Sequence, residues 1–517
     1  MRRIIVGSVC AAILLAGGAA LARESASVPR FEGASCPDLQ VPELAKASCG
    51  YLVVPENRDQ PTGRTIRLIV AILPAESPRP WTDPVVYLSG GPGGIALFEI
   101  PFLIRSGLNW DHDLVVMNQR GTYLSQPALT CESADAFARR LIGLRFYSRS
   151  TKRAHLAATR GCRREVLAKG VDLSAYNSRE SAADFADLRR VLGYDRWNVF
   201  GVSYGTYLAQ TLMRDHPEGI RSVILDSTVP VRIVTLPQFW HTAREGFDNL
   251  FRACEAETAC REIAPHLKTT FTRLVREFEA RPRRVVVANP QGKATKVVLD
   301  GGALIDWLRK KTYDTPQLRQ VPDQTAEMAA GRLESVARDR ATETVVAEPL
   351  ASYGLAFGAI CREWNPFGQN EPAGKRAFPA YPASIKNQLV GGWAYTRQDC
   401  ARVWRVPSGS SAIRRPPRAD IPTLLVSGTF DSVTSPRWAK QAARDLPNST
   451  LIQIPGIGHF TTPHSECAQD VVASFLSNPN APDTSCVPEQ TVPPFAGRTR
   501  MGAHERVGSM VSPFPNM

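Results

Sequence analysis

The 517-residue sequence has no C-x-x-C pair and no H-E-x-x-H segment. It lacks the commonest zinc-ligand spacings, so no metal site is expected. Beyond its N-terminal stretch it has no long apolar run. Helices that cross a membrane are therefore not expected in the mature chain. Lys and Arg outnumber Asp and Glu, 62 to 49, giving a net charge of +13, yet there is no dense basic run and no nucleic-acid-binding motif. The excess reads as a solvated basic surface, with no nucleic-acid partner. No internal repeat is present, which argues against solenoids and propellers.

What is present is an ordinary globular composition, 43% hydrophobic and 21% charged. A chain of this length has room for roughly two or three domain-sized units and a sizeable core. It opens with MRRIIVGSVCAAILLAGGAALARESA. Two arginines, a short apolar run and an A-x-A pattern at Ala20–Ala22 predict a secretory signal peptide over residues 1–22. As a membrane anchor the run would be short. The mature protein is expected to be exported, periplasmic or secreted. Export changes the meaning of the cysteines. Setting aside Cys10 in the leader leaves an even number: Cys36, Cys49, Cys131, Cys162, Cys254, Cys260, Cys361, Cys400, Cys467 and Cys486. An even set in an exported protein predicts disulfides. Connectivity stays open, and pairing neighbours in order is the simplest guess.

IRLIVAILPA, PVVYLSG and HDLVVMNQRG read as buried strands. SRESAADFADLRRVLG reads as a helix, with Ser181 and Asp184 as a capping pair and Phe185, Leu188, Val191 and Leu192 on one face. WNVFG is a strand, TYLAQTLMRDHPEG a helix that stops at Pro and Gly, and RSVILDS the next strand. Strands alternating with helices predict a parallel α/β sheet. From Val231 the pattern turns mostly helical, with a hairpin-like VVVANPQGKATKVVLD, and the α/β pattern resumes at TLLVSG. One α/β domain, residues 23–230 and 419–486, is thus interrupted by a helical insertion over 231–418. Residues 487–517, rich in Pro and Arg, are expected to be poorly ordered.

The segment GVSYG, Gly201 to Gly205, follows a strand and opens a helix. That context makes G-x-S-x-G meaningful: a sharp turn lifts the Ser203 hydroxyl to the carboxyl edge of the sheet. Serine is a weak nucleophile and needs a base. His459 in QIPGIGHF, after a late core strand, fits the base, with His464 as rival. Asp431 in LLVSGTFDSVTSP fits the acid that orients the imidazole, with Asp226 in VILDSTVP as rival. YLSGGPGG, Tyr87 to Gly94, suits close approach of backbone to a developing oxyanion. The expected donors are the N–H groups of Gly91 and Tyr204, with Gly90 as a substitute for Gly91.

Together these segments resemble the prolyl iminopeptidase and tripeptidyl aminopeptidase group of α/β-hydrolase peptidases. SGGPGG resembles their H-G-G-P-G, with Ser89 in place of His, and NQRGTYLSQP resembles their D-Q-R-G-T-G-x-S-x-P, with Asn118 and Tyr123 as departures. CGYLVVPENRDQPTGRTIRL and the region from about Ile421 to Cys486 resemble the tripeptidyl branch. The resemblance implies an α/β-hydrolase fold: a mostly parallel sheet, a helical cap over the site, exopeptidase action on free N-termini and no cofactor. It also implies a carboxylate for the substrate's ammonium group, and Glu363 in ICREWNPFG is the candidate. Trp364, Trp393 and Trp404 could line a pocket or form cap core. The expected substrate is a small peptide, handled by a monomer without stable membrane insertion. The alternatives are an esterase or lactonase with the same triad, and a binding protein on the same fold. The complete Ser, Asp, His set argues against the last.

Overall fold

The computed structural model describes residues 28–232, 236–344, 351–367, 373–388 and 396–495. The expected signal peptide, Trp393 and residues 496–517 lie outside the described residues. Eleven strands are found among them: β1 Arg30–Ala34, β2 Ser48–Pro55, β3 Thr65–Leu73, β4 Trp81–Leu88, β5 His112–Met117, β6 Trp197–Val202, β7 Ile220–Asp226, β8 Arg283–Ala288, β9 Ala294–Leu299, β10 Thr423–Gly428 and β11 Ser449–Ile454. Nine of them form one sheet in the order β1-β2-β3-β5-β4-β6-β7-β10-β11, and β8 and β9 form a separate hairpin. The first strands pair antiparallel; from β5 to β11 every pairing is parallel.

Parallel strands covered on both faces are hydrophobic throughout. Every residue of β6 and of β10 is buried. Successive side chains go to opposite faces. Val86, Val115, Val199, Val223 and Leu425 join one core, and Val85, Val116, Phe200, Ile224 and Val426 join the other.

The helix Ser178–Val191 starts at the residue where the SRESAADFADLRRVLG pattern begins. Asn177 is its cap, accepting the Glu180 N–H at 3.1 Å. Asp184, expected in a capping pair, is instead buried mid-helix. It takes both Arg120, at 2.7 Å through Nε and Nη2, and Arg58 at 2.7 Å. A buried arginine needs that bidentate partner more than the helix end needs a second cap.

From Leu236 to Arg414 the described residues are mainly helical apart from the β8–β9 hairpin. This insertion leaves the sheet after β7 and returns before β10. Five disulfides join cysteines that are neighbours in order: Cys36–Cys49, Cys131–Cys162, Cys254–Cys260, Cys361–Cys400 and Cys467–Cys486.

The expected disordered tail needs correction over residues 487–495. Val487–Glu489 forms a helical turn directly after Cys486. Phe495 is buried against Phe430, and its N–H donates to Glu257 at 3.1 Å. The disulfide at Cys486 holds the strand of chain near the core, and the aromatic ring then buries.

Candidate active site

β6 ends at Val202 and the helix Tyr204–Asp215 begins at the next residue but one. Ser203 alone makes the turn, with φ 57° and ψ −124°. A non-glycine residue in that region costs on the order of 1–3 kcal/mol, held by its surroundings. The flanking glycines are required by space. A Cβ on Gly201 would lie 2.6 Å from the Gly205 carbonyl oxygen, and one on Gly205 would lie 1.9 Å from that of Leu88. Ser203 is partly exposed while both its neighbours are buried. Its N–H donates to the Asp226 carbonyl at 3.1 Å.

His459 Nδ1 lies 2.8 Å from Asp431 Oδ2. A carboxylate accepts, so the ring proton belongs on Nδ1 and Nε2 is left as the acceptor. Asp431 also accepts from the N–H groups of Val433 at 2.7 Å and Thr434 at 2.9 Å, and from Thr434 Oγ1 at 2.6 Å. Burial pushes its carboxyl up. The charge and hydrogen bond of His459 and the Thr434 donors outweigh that, and the net shift is below the usual range. Thr434 Oγ1 also sits 3.2 Å from His459 Nδ1, bridging acid and base.

The helical insertion grips the same loops. His459 N–H donates to the Thr312 carbonyl at 2.6 Å, and Gly458 N–H to Thr315 Oγ1 at 3.1 Å. Thr312 Oγ1 pairs with Ser432 Oγ at 2.8 Å. The Tyr313 ring meets the imidazole edge-on, with centroids 4.9 Å apart.

Asp226, the rival acid, makes no hydrogen bond to the imidazole. It accepts the N–H groups of Thr461 at 2.9 Å and Thr462 at 2.8 Å, and Thr462 Oγ1 at 2.6 Å. The adjacent Ser227 Oγ accepts the Phe460 N–H at 2.8 Å. One residue thus ties the serine turn, through its carbonyl, to the histidine loop, through its carboxylate. His464, the rival base, sits in the turn Thr462–His464. Burial, then Arg105 and Arg319, push its imidazole down to about 4.

The glycine-rich loop after β4 reaches the serine. A Cβ on Gly90 would lie 3.0 Å from Ser203 Cβ and 3.6 Å from its Oγ. Gly91, at φ 109°, follows directly. Among the described residues the N–H groups of Gly91 and Tyr204 have no protein acceptor, as the first residue of a helix requires of Tyr204. Gln119 Nε2 pins the loop by donating to the Ser89 carbonyl at 2.9 Å.

Glu363 is not an open carboxylate, which corrects its expected role as an ammonium anchor. It is buried, accepting the Ser178 N–H at 2.8 Å and Ser178 Oγ at 2.6 Å. Burial pushes its carboxyl up, against the Ser178 donors. It closes the N-terminus of the helix Ser178–Val191, where a carboxylate is favoured. Trp364 and Trp404 are buried core: Trp364 packs on Tyr204, Tyr207 and Phe239, and Trp404 on Phe357.

Sequence reasoning passed over Thr434, Tyr313 and the stapling role of Asp226. Thr434 carried a weak signal, a hydroxyl three residues after the acid. The other two depend on contacts between segments more than a hundred residues apart. Among the described residues no cluster of His, Cys, Asp and Glu could hold a metal ion, and no helix is long and apolar enough to cross a membrane.

Residues 83–462 match the family described as alpha/beta hydrolase fold. Among curated proteins, tripeptidyl aminopeptidase from Streptomyces lividans is 26% identical over 227 residues, 41% of this chain and 41% of the relative. Serine protease Hip1 from Mycobacterium tuberculosis is 26% identical over 215 residues, 39% of this chain and 40% of the relative. The chain therefore spans well under half the length of the curated relatives it matches. Among solved structures, proline iminopeptidase from Mycobacterium smegmatis is 16% identical, with 83% of this chain and 98% of that one covered at a TM-score of 0.38.

Proposed function

The chain belongs to the alpha/beta hydrolase fold family, and on that premise we propose that it is an exported serine aminopeptidase. It releases single residues or short peptides from free N-termini through an acyl-enzyme on Ser203. The observation that carries the hydrolytic reading is a strained, accessible Ser203 whose N–H is held by Asp226, the residue whose carboxylate also fastens the loop of a His459–Asp431 couple at 2.8 Å. The peptidase-named relatives support the choice of bond. Five disulfides support export.

In this reading His459 Nε2 takes the Ser203 proton as Oγ attacks the scissile carbonyl carbon. The N–H groups of Gly91 and Tyr204 receive the oxyanion, a task for which unpaired, preorganised donors are suited. Asp431 holds the imidazole in the Nδ1–H tautomer and stabilises the imidazolium. His459 then gives its proton to the leaving amine, and water hydrolyses the ester by the same route.

The test is a panel assayed with the purified mature chain. It holds chromogenic amides of one to three residues, each with a free or a blocked N-terminus, together with short and long acyl esters. Free but not blocked peptides are the expected substrates. Ser203→Ala is expected to lose at least about 10⁴-fold in kcat. Full activity in that variant would reject the nucleophile. Ester cleavage alone would move the protein to the esterases with the triad kept.

A further inference from the structure

The helix Gly301–Lys311 of the insertion is fastened at both ends. At its start Asp300 accepts the Ala303 N–H at 2.8 Å and the Phe146 N–H at 2.7 Å. In its last turns the buried Asp306 pairs with Arg309 and Lys310 at 3.1 Å and with Arg340 at 3.2 Å. Trp307 is buried and donates its Nε1–H to Asp339 at 3.0 Å. The chain leaving this helix runs directly to the base. The Thr312 carbonyl and Thr315 Oγ1 take the N–H groups of His459 and Gly458, so both backbone donors of that loop are spent on the insertion. The approach is close: a Cβ on Gly458 would lie 2.2 Å from the Thr312 carbonyl oxygen.

These contacts fix the backbone of His459, and Asp431 and Thr434 fix one corner of its ring. Both of the latter meet the imidazole at Nδ1, at 2.8 and 3.2 Å. Contacts at a single nitrogen locate that atom and leave the ring plane to whatever packs on it. Nε2 must nevertheless point at Ser203 for a proton to pass. The ring that the insertion packs on the imidazole is Tyr313, with centroids 4.9 Å apart and planes at 67°. That is edge-to-face geometry, favourable for aromatic pairs. Tyr313 is itself held from behind. Arg309 Nη1 donates to its hydroxyl oxygen at 3.3 Å, and the guanidinium carbon lies 5.7 Å from the ring centroid. Arg309 is buried and anchored on Asp306. A chain of contacts thus runs from the buried charges of the insertion, through one aromatic ring, to the base.

We propose that Tyr313 is a positioning residue for His459. Its ring, set by Arg309, holds the imidazole in the plane in which Nε2 faces Ser203. The helical insertion then does more than cover the site: it completes the alignment of the base. The proposal rests on the Ser203–His459 reading and is independent of whether the substrate is a peptide or an ester.

The experiment uses the full mature chain with Tyr313→Leu and Tyr313→Phe, each checked by thermal melting. Two readings are taken. The first is the rate at which diisopropyl fluorophosphate labels Ser203, located by mass spectrometry. That reaction needs an aligned base but no bound substrate. The second is kcat and KM for an amide or ester that the wild type cleaves. Tyr313→Leu is expected to lose about 10²-fold in labelling rate and in kcat, with KM within about threefold. Tyr313→Phe keeps the ring and is expected to recover at least about tenfold of that loss. Labelling and kcat kept in Tyr313→Leu would overturn the proposal. A change confined to KM would overturn it too, making the ring a pocket wall. So would Tyr313→Phe as slow as Tyr313→Leu, which would make the hydroxyl the acting group. A wild type that labels elsewhere or not at all would reject the serine hydrolase reading and the proposal together. If Tyr313→Leu does not fold, Tyr313→Met takes its place with the same readings, since an unbranched side chain fills irregular gaps.

Discussion

Asp226 and Asp431 stand at the carboxyl ends of adjacent strands, β7 and β10, and both are fully buried. Each accepts hydrogen bonds from neighbouring N–H and hydroxyl groups. Their electrostatics differ in sign. Asp431 faces an imidazole, and its charge is favoured despite burial. Asp226 faces only neutral donors. Burial outweighs Thr461, Thr462 and Ser227, and its carboxyl is raised. The same side chain in nearly the same depth is thus kept charged beside an imidazole in one place and used as a staple in the other. What separates them is which partner the next loop delivers.

The sharpest break of this comparison is Asp431→Asn. The amide cannot hold the Nδ1–H tautomer, and kcat is expected to fall about 10⁴-fold with the fold kept. Steady-state kinetics with circular dichroism check it. A loss of tenfold or less would move the acid elsewhere, with Asp226 first in line.

Asp226→Asn sharpens the contrast from the other side. Its new NH₂ faces the donors of Thr461 and Thr462, so the melting transition should drop by an amount equivalent to about 1–3 kcal/mol. Activity should fall less than in Asp431→Asn, by about 10²-fold, through misplacement of the histidine loop. The two carboxylates also tilt stability against pH in opposite directions. Asp431, depressed on folding, contributes above the unfolded value of about 3.9, and that contribution is lost as pH falls through its folded value. Asp226, raised on folding, contributes below about 3.9, and that contribution is lost as pH rises through its folded value. Thermal melts of the two Asn variants against wild type, from acid to neutral pH, should diverge in these opposite senses. Parallel profiles would mean that both carboxylates are held alike.

Thr434→Val is the smallest change. It removes one hydroxyl from Asp431 and His459 but leaves the backbone N–H. About 1 kcal/mol, or several-fold in kcat, is expected. An effect as large as that of Asp431→Asn would make Thr434 more than a brace.

Much of this site was legible from local pattern. Gly201, Ser203 and Gly205 sit between an apolar strand and a helix. His459 and Asp431 follow apolar strands through short loops. Such residues are readable because backbone geometry over a few residues dictates them. Glu363 was misread for the complementary reason. A glutamate beside a cysteine in a helical stretch says nothing about which side of the site it faces. The register of two remote helices, one carrying Ser178 and the other Glu363, turned it inward. The capping pair at Ser181 and Asp184 failed likewise, because Arg120, far away in sequence, claimed Asp184.

By itself the sequence determined the α/β alternation, the interrupting helical insertion, the strained serine turn and the order of the candidate serine, aspartate and histidine. All are set by periodicity, local sterics and composition. Only the tertiary structure decided which aspartate meets the imidazole and which carboxylate is sealed. Burial and partner choice arise where distant segments pack, and a carboxylate's role follows from those partners rather than from its neighbours along the chain.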